Sequence, residues 1–387
     1  MVAANRGRLA VTASGRSRHP PWVIITDYPR WPSPYFTHLD RHAHAELRLT
    51  FRRGLDGLEG ISVPGVINLH RLKRLYHDGG GRTSSAAAAF LDRLASLHGQ
   101  GWRIVWTVHN LLPIDGQLPG PADYAVTRAV LSLADMVLCH TRADAAALRS
   151  RTAADIRVTG WAGLEPSPQP PAPEVAALAA WMRSAPVSFL LAGHVTAYKD
   201  VPGTITTFLA ATHDAHLTVA GACRDSRTAA RLAHLAASSG GRVSLWAERF
   251  APEQAGYLYA MAHAAVCPYL ADGPFRFFAD VLHPSSVGTA TGFHVPVIAP
   301  ALPAVTEITH GQQRWLAPPG AGLGHAMATA EADMHAMKRA AGDPRSRRPA
   351  ADAASWWRRI TSVYRQAADD LRQQRPYPTL QGDPSGA

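Results

Sequence analysis

The chain has 387 residues, enough for two or three domains at ~150 residues each. With 47% hydrophobic and 18% charged residues it is a packed globular protein, which excludes a disordered or fibrous chain. A formal net charge of +10 points to an anionic partner: nucleic acid, acidic lipid or a phosphorylated substrate.

Residues 1–20 carry Arg6, Arg8, Arg16 and Arg18 and lack the apolar core of a signal peptide, so they read as a disordered basic tail. Trp22–Thr26 reads as a strand and Tyr35–Leu49 as a helix. Val63–Leu69 is a second strand, and Ser84–His98 a helix capped by serine. Arg103–Val108, Met136–His140 and Arg157–Thr159 read as strands, separated by helices at Tyr124–Ala134 and Arg142–Arg149. This alternation predicts an α/β domain with a parallel sheet over residues 21–164. Residues 165–173 hold five prolines and form a stiff linker. The alternation restarts in a second α/β domain over 174–345. Its strands are Val187–Ala192, His216–Ala220, Arg242–Trp246, Ala264–Pro268 and Pro296–Ala299. Its helices are Val201–Thr212, Ser226–Ser239, Pro252–His263 and Ser285–Phe293. Residues 351–374 predict a long helix that crosses back onto the first domain, and 375–387 a disordered tail. Two such domains face a cleft, and ligands of such folds sit outside the carboxyl ends of the strands.

No RNP-like aromatic run, zinc finger or basic zipper accompanies the charge, so nucleic acid is not expected as a partner. Cys139, Cys223 and Cys267 are odd in number and far apart. They predict neither a disulfide framework nor a structural zinc site, and they fit a reducing cytoplasm. The longest stretch without Asp, Glu, Lys or Arg, Val281–Thr306, is broken by four prolines and is no membrane span. The arginine-rich segment Arg48–Arg53 leaves peripheral membrane contact open, although a solvated face explains it as well.

Three constellations could do chemistry. Gly193-His194 and Tyr198-Lys199-Asp200 follow a strand and lead into a helix, which is a natural anion site. Lys199 would supply a point charge for phosphate, and the chain has only two other lysines, Lys73 and Lys338. A solvated surface lysine is the competing reading. His283-Pro284-Ser285-Ser286 opens a helix whose free N–H groups and hydroxyls could hold a second phosphate, with ordinary capping as the alternative. Val108-His109-Asn110 ends a first-domain strand and points into the cleft. No second metal ligand stands at a suitable spacing from His109, so no metal is expected there; a satisfied structural histidine is the bland alternative.

Together these residues resemble a known family. From Trp22 to Tyr364 the chain is similar to the family 4 glycosyltransferases, retaining enzymes of the two-domain GT-B fold with Rossmann-like halves. Gly101–Pro113 resembles the family's strand ending in a cleft histidine. Gly193–Asp200 resembles its Gly-Arg-x4-Lys-Gly phosphate motif. Leu258-Tyr259-Ala260, Val266–Tyr269 and Pro296–Ala299 resemble its last nucleotide-binding unit.

The resemblance implies transfer of a sugar from a nucleotide diphosphate, of UDP or GDP type, to a small-molecule, glycan or lipid-linked acceptor. It implies no cofactor beyond that donor and no divalent metal. Lys199, His194, Ser285 and Ser286 would hold the diphosphate. Trp246, Glu248, Arg249, Phe250 and Thr289 would lie near base and ribose, and catalytic His109 near the transferred sugar. Asn110, Pro34 and Tyr35 would face the acceptor. Two departures stand out. His194 occupies the usual arginine position, which makes half of the cationic clamp pH-dependent. The family's paired glutamates are replaced by Val281 and Thr289. Their loss supports another reading, a catalytically silent sugar-nucleotide-binding protein; a nucleotide-sugar 2-epimerase of the same fold is a further alternative, but it needs acid and base carboxylates in the cleft and no convincing pair is found.

Overall fold

The computed structural model describes residues 21–26, 33–47, 49–61, 63–78, 80–114, 118–248 and 251–374. The two terminal tails therefore lie outside the described residues.

Two parallel six-stranded sheets organise the chain. The first contains β1 (Trp22–Thr26), β2 (Leu49–Arg53), β3 (Val66–Leu69), β4 (Arg103–Thr107), β5 (Met136–Cys139) and β6 (Asp155–Val158), in the order β2-β1-β3-β4-β5-β6. The second contains β7 (Val187–Ala192), β8 (Ala215–Ala220), β9 (Val243–Trp246), β10 (Ala264–Val266), β11 (Val297–Pro300) and β12 (Arg314–Ala317), in the order β12-β11-β10-β7-β8-β9. The inner strands are continuous apolar or β-branched runs because helices cover both faces. All of β1 and all of β7 are buried.

In the second sheet the strand order reverses between β7 and β10. The loops leaving those two strands flank the switch point, where this architecture binds ligands. Residues 201–211 and 324–341 form helices that cover one face, burying Phe208, Met327 and Met334 against Phe189 and Leu217.

The helix Ala353–Gln374 packs on the first sheet, not the second. Trp357, Ile360, Tyr364 and Leu371 repeat at helical spacing and are buried against Trp22, Ile24, Phe36 and Leu39. Each such side chain contributes about 1.5–3 kcal/mol when removed from water. Trp356 lies on the opposite face and is exposed. An apolar cluster also runs unbroken across the seam between the sheets, from Val108 and Leu111 to Phe277, Leu282 and Val287.

The expected helix Tyr35–Leu49 is corrected. Pro34 starts the helix, it ends at Arg41, and Leu49–Arg53 is an edge strand paired in parallel with β1. The arginine-rich segment thus belongs to a sheet edge, with Arg52 and Arg53 exposed and Arg48 outside the described residues. After the prolines, Pro173–Ser184 is helical, and the short edge strand β12 adds a sixth strand to the second sheet. Among the described residues, no helix is long and apolar enough to cross a membrane.

Candidate functional site at the carboxyl edges of the two sheets

β7 runs out at Ala192 into Gly193, whose φ of +108° suits glycine alone. A side chain here would also press on the lysine. A Cβ at this position would stand 2.9 Å from Lys199 Nζ. The loop then makes a single 3-10 turn, Ala197–Lys199, and Asp200 caps the helix Val201–Ala211 by accepting from the Gly203 amide. This turn folds Lys199 back beneath the strand end. Its Nζ donates to the Ala192 carbonyl at 3.4 Å and to Ser286 Oγ at 3.3 Å.

Lys199 is 5% exposed, and among the described residues no carboxylate pairs with it. A buried ammonium held only by neutral oxygens lacks the counter-charge that ordinarily offsets its desolvation. Ser286 sits in the first turn of the helix Ser285–Gly292, so the positive end of that helix lies beside Lys199. Ser285 is exposed and Ser286 buried. A lysine ammonium and a serine hydroxyl at a helix start are groups of the kind that bind anions.

The facing edge of the first sheet is built from histidines. His70 follows β3, His109 follows β4 by two residues, and His140 follows β5, so three adjacent strands each end beside an imidazole. His283 arrives from the second unit, directly before the helix that carries Ser286. His109 Nδ1 lies 2.9 Å from His283 Nδ1 and 3.1 Å from His140 Nε2, and its Nε2 lies 3.1 Å from His70 Nδ1. Burial is the largest cause holding all four below the ordinary histidine pKa, and neighbouring charges push the same way for His70, His109 and His283. The backbone closes the same contact: the His283 amide donates to the His109 carbonyl at 2.8 Å, and Asn110 bridges Leu282. Trp161 covers the group, its ring centroid 3.7 Å from that of His283. The indole rests on Gly288, where any Cβ would fall 1.2 Å from Trp161 Nε1.

The expectation of no metal at His109 rests on spacing along the chain, and the structure brings imidazoles to it from elsewhere. Its neighbours come from separate strands and from the other unit, at sequence separations of 31 and 174. His70, His140 and Trp161 are the residues that sequence reasoning missed, and His283, noted there only as part of a phosphate-binding helix start, turns to the histidines. The signal was present, since the strand ending in Asn68-Leu69-His70 and the strand Met136–His140 each stop on a histidine.

The remaining candidates scatter. Tyr35 is buried, its ring centroid 5.2 Å from that of His109 and its hydroxyl 3.3 Å from that of Tyr364, so it covers the histidines from the first unit. Pro34 opens its helix, and Asn110 keeps a buried Oδ1 without a hydrogen-bond partner. Thr289 is buried and turns its hydroxyl back to the Ser285 carbonyl; Val281 is buried in the apolar seam. His194 is exposed, Trp246 ends β9, and Glu248 is exposed beyond it. Arg249 and Phe250 lie outside the described residues.

Two parallel sheets with interleaved helices, meeting through the carboxyl ends of their strands, define the GT-B architecture. No protein-family model and no curated protein sequence matches the chain. Solved structures do. One, described as trehalose-6-phosphate from E. coli bound with UDP-2-fluoro glucose, has a TM-score of 0.59 at 10% identity, covering 91% of this chain and 99% of its own. A UDP-forming α,α-trehalose-phosphate synthase from Burkholderia xenovorans has a TM-score of 0.53 at 14% identity, covering 82% and 76%. The α,α-trehalose-phosphate synthase from B. xenovorans in complex with glucose-6-phosphate has a TM-score of 0.51 at 14% identity, covering 82% and 75%. This likeness is one of fold, and it does not separate family 4 from other GT-B groups.

Proposed function

We propose that the protein is a retaining glycosyltransferase that moves a sugar from a nucleoside diphosphate to an acceptor hydroxyl. The observation that carries this reading is Lys199. It is a buried ammonium without a carboxylate, aimed at the N-terminal turn of a helix, at the switch point of the second sheet. Breaking the bond from sugar to diphosphate builds negative charge on the leaving oxygens. Groups fixed in advance around that charge lower the barrier most. Lys199 Nζ and Ser286 Oγ, at the start of that helix, would meet this charge, so the protein's own groups would help neutralise the leaving diphosphate.

The GT-B neighbours support the donor class, since one is described as bound with UDP-2-fluoro glucose. Another is described in complex with glucose-6-phosphate, which makes sugar phosphates the first acceptors to try. His109 stands across the seam from Ser286, where a sugar carried on the diphosphate would meet the first unit.

The test is incubation with UDP- and GDP-sugars, with and without sugar phosphates, following release of nucleoside diphosphate. Acceptor-dependent release with the anomeric configuration kept is the expected result. Tight nucleotide binding without turnover on any acceptor would replace the transferase with a binding protein, and failure to bind nucleoside diphosphates would remove the reading altogether.

A further inference from the structure

The protons of the histidine group can be assigned from their outer partners. The Gly160 carbonyl can only accept, and it lies 3.2 Å from His140 Nδ1, so that nitrogen carries the hydrogen. His140 Nε2 therefore presents a lone pair.

The same logic runs inward from β3. The Asn68 amide is oriented by two one-way partners. Its Oδ1 accepts from the Trp22 indole at 3.3 Å, and its Nδ2 donates to the Val105 carbonyl at 3.3 Å. His70 Nε2 lies 2.9 Å from that Oδ1 and must donate to it. His70 Nδ1 is then an acceptor, and it takes the hydrogen of His109 Nε2 at 3.1 Å. His109 Nδ1 is left with a lone pair, and it faces the lone pair of His140 Nε2 at 3.1 Å. Two acceptors aimed at each other with no hydrogen between them repel unless a cation joins them.

A third nitrogen is at hand. His283 Nδ1 lies 2.9 Å from His109 Nδ1, and its other nitrogen is buried without a partner. The three ligand atoms lie within 4.8 Å of one another. Imidazole nitrogens bound to zinc at about 2.0–2.1 Å in tetrahedral geometry stand about 3.3 Å apart. The observed separations of 2.9 and 3.1 Å are close to that. The outer bonds from His140 to a carbonyl and from His109 through His70 to Asn68 are those that orient metal-bound imidazoles.

We propose that His109, His140 and His283 form a binding site for a divalent transition-metal ion of the zinc type, which clamps the two sheet units together at the cleft. Neutral imidazole is the ligand such ions favour. Two ligands come from the first unit and one from the second, so the ion ties closure of the cleft to its own occupancy. The inference does not depend on the transferase reading, because its test reads binding and not turnover.

The experiment uses the full chain, stripped by chelator dialysis and then titrated with Zn²⁺ and, separately, with Co²⁺. Expected are one tightly retained ion per chain, a visible Co²⁺ spectrum of a nitrogen-rich site, and a rise in Tm with Zn²⁺. His140→Gln and His283→Gln should each weaken Zn²⁺ binding at least 100-fold. His335→Gln should not, although it disrupts a separate group with Asp214 and Glu331. If a glutamine variant fails to fold, the Co²⁺ spectrum and stoichiometry of the native chain still decide. Absence of retained metal, or retention unaffected by both glutamine variants, overturns the site. So does NMR evidence that His109 and His140 merely share a proton while Zn²⁺ leaves Tm unchanged.

Discussion

At the carboxyl edge of the second sheet a positive charge is buried with no carboxylate beside it among the described residues; at the facing edge of the first, imidazoles crowd within hydrogen-bond distance of one another. The two edges present opposite electrostatic demands across one seam. On the readings proposed above, Lys199 would take an anion and the histidine group a cation. They also differ in how they are built. The Lys199 site is one loop plus one helix start. The histidine group needs three strand ends and the closed seam. Perturbations of the seam should therefore spoil the second and spare the first, which gives the comparison its sharpest tests.

The largest effect is expected from Gly288→Val. The Trp161 indole occupies the space a side chain would need, and it also lies against His283. Overpacking of this kind costs about 3 kcal/mol. Denaturant unfolding should show that loss, while nucleoside diphosphate affinity stays within about threefold. An unchanged unfolding midpoint would mean that the two units do not meet through Trp161.

Lys199→Ala comes next and strikes the other edge. A charge-assisted contact is worth about 1.5–3 kcal/mol, so diphosphate affinity should fall roughly 10- to 150-fold by calorimetry. Stability should hold, because the variant removes a buried charge that no carboxylate offsets. Equal affinity in variant and wild type would take Lys199 out of the donor site.

The contrast between the edges also explains what the sequence made legible. The α/β alternation was readable because strands buried on both faces must be short apolar runs, as in Trp22–Thr26 and Val187–Ala192. Edge strands escape that demand. Leu49–Arg53 is half polar, so Leu49 reads as the end of a helix and the arginines as a solvated face, and Arg314–Ala317 gave no signal at all. Lys199 was legible because its loop follows its strand directly. The histidine group was not, since His70, His109, His140 and His283 become neighbours only through strand order and closure of the seam. Thr289 illustrates a further limit. Its place in the helix was readable, but the bond that turns its hydroxyl back to Ser285 was not.

His263 offers a reference histidine away from both edges. It is fully buried, accepts from the Ser188 amide at Nδ1 and faces Asp343 at 3.5 Å from Nε2. Burial, reinforced by Arg345 and more weakly by Lys338 and Arg348, lowers its pKa to about 3, with Asp343 opposing. The folded value lies below the unfolded one near 6.5, so the neutral form stabilises the fold. That contribution is complete above about pH 6.5 and is lost as pH falls toward 3, at about 1.4 kcal/mol per unit. His263→Gln should flatten the acid limb of Tm against pH between about 6 and 4. A wild-type slope in the variant would show that other groups carry the acid sensitivity.

The smallest effect separates two adjacent serines and tests how far the anion cradle extends. Ser286 is buried and its Oγ lies 3.3 Å from Lys199 Nζ, whereas Ser285 is exposed and its amide is taken by the His283 carbonyl at 2.9 Å. A neutral hydrogen bond contributes about 0.5–1.5 kcal/mol, so Ser286→Ala should weaken diphosphate binding roughly 2- to 13-fold. Ser285→Ala should change it by less than about twofold, since a solvated hydroxyl gains little over water. The double variant Lys199→Ala, Ser286→Ala should lose less than the sum of the singles, because the two groups touch and share one ligand. If Ser285→Ala were the more damaging substitution, the phosphate would sit on the outer side of the helix start, and Lys199 could not be its partner.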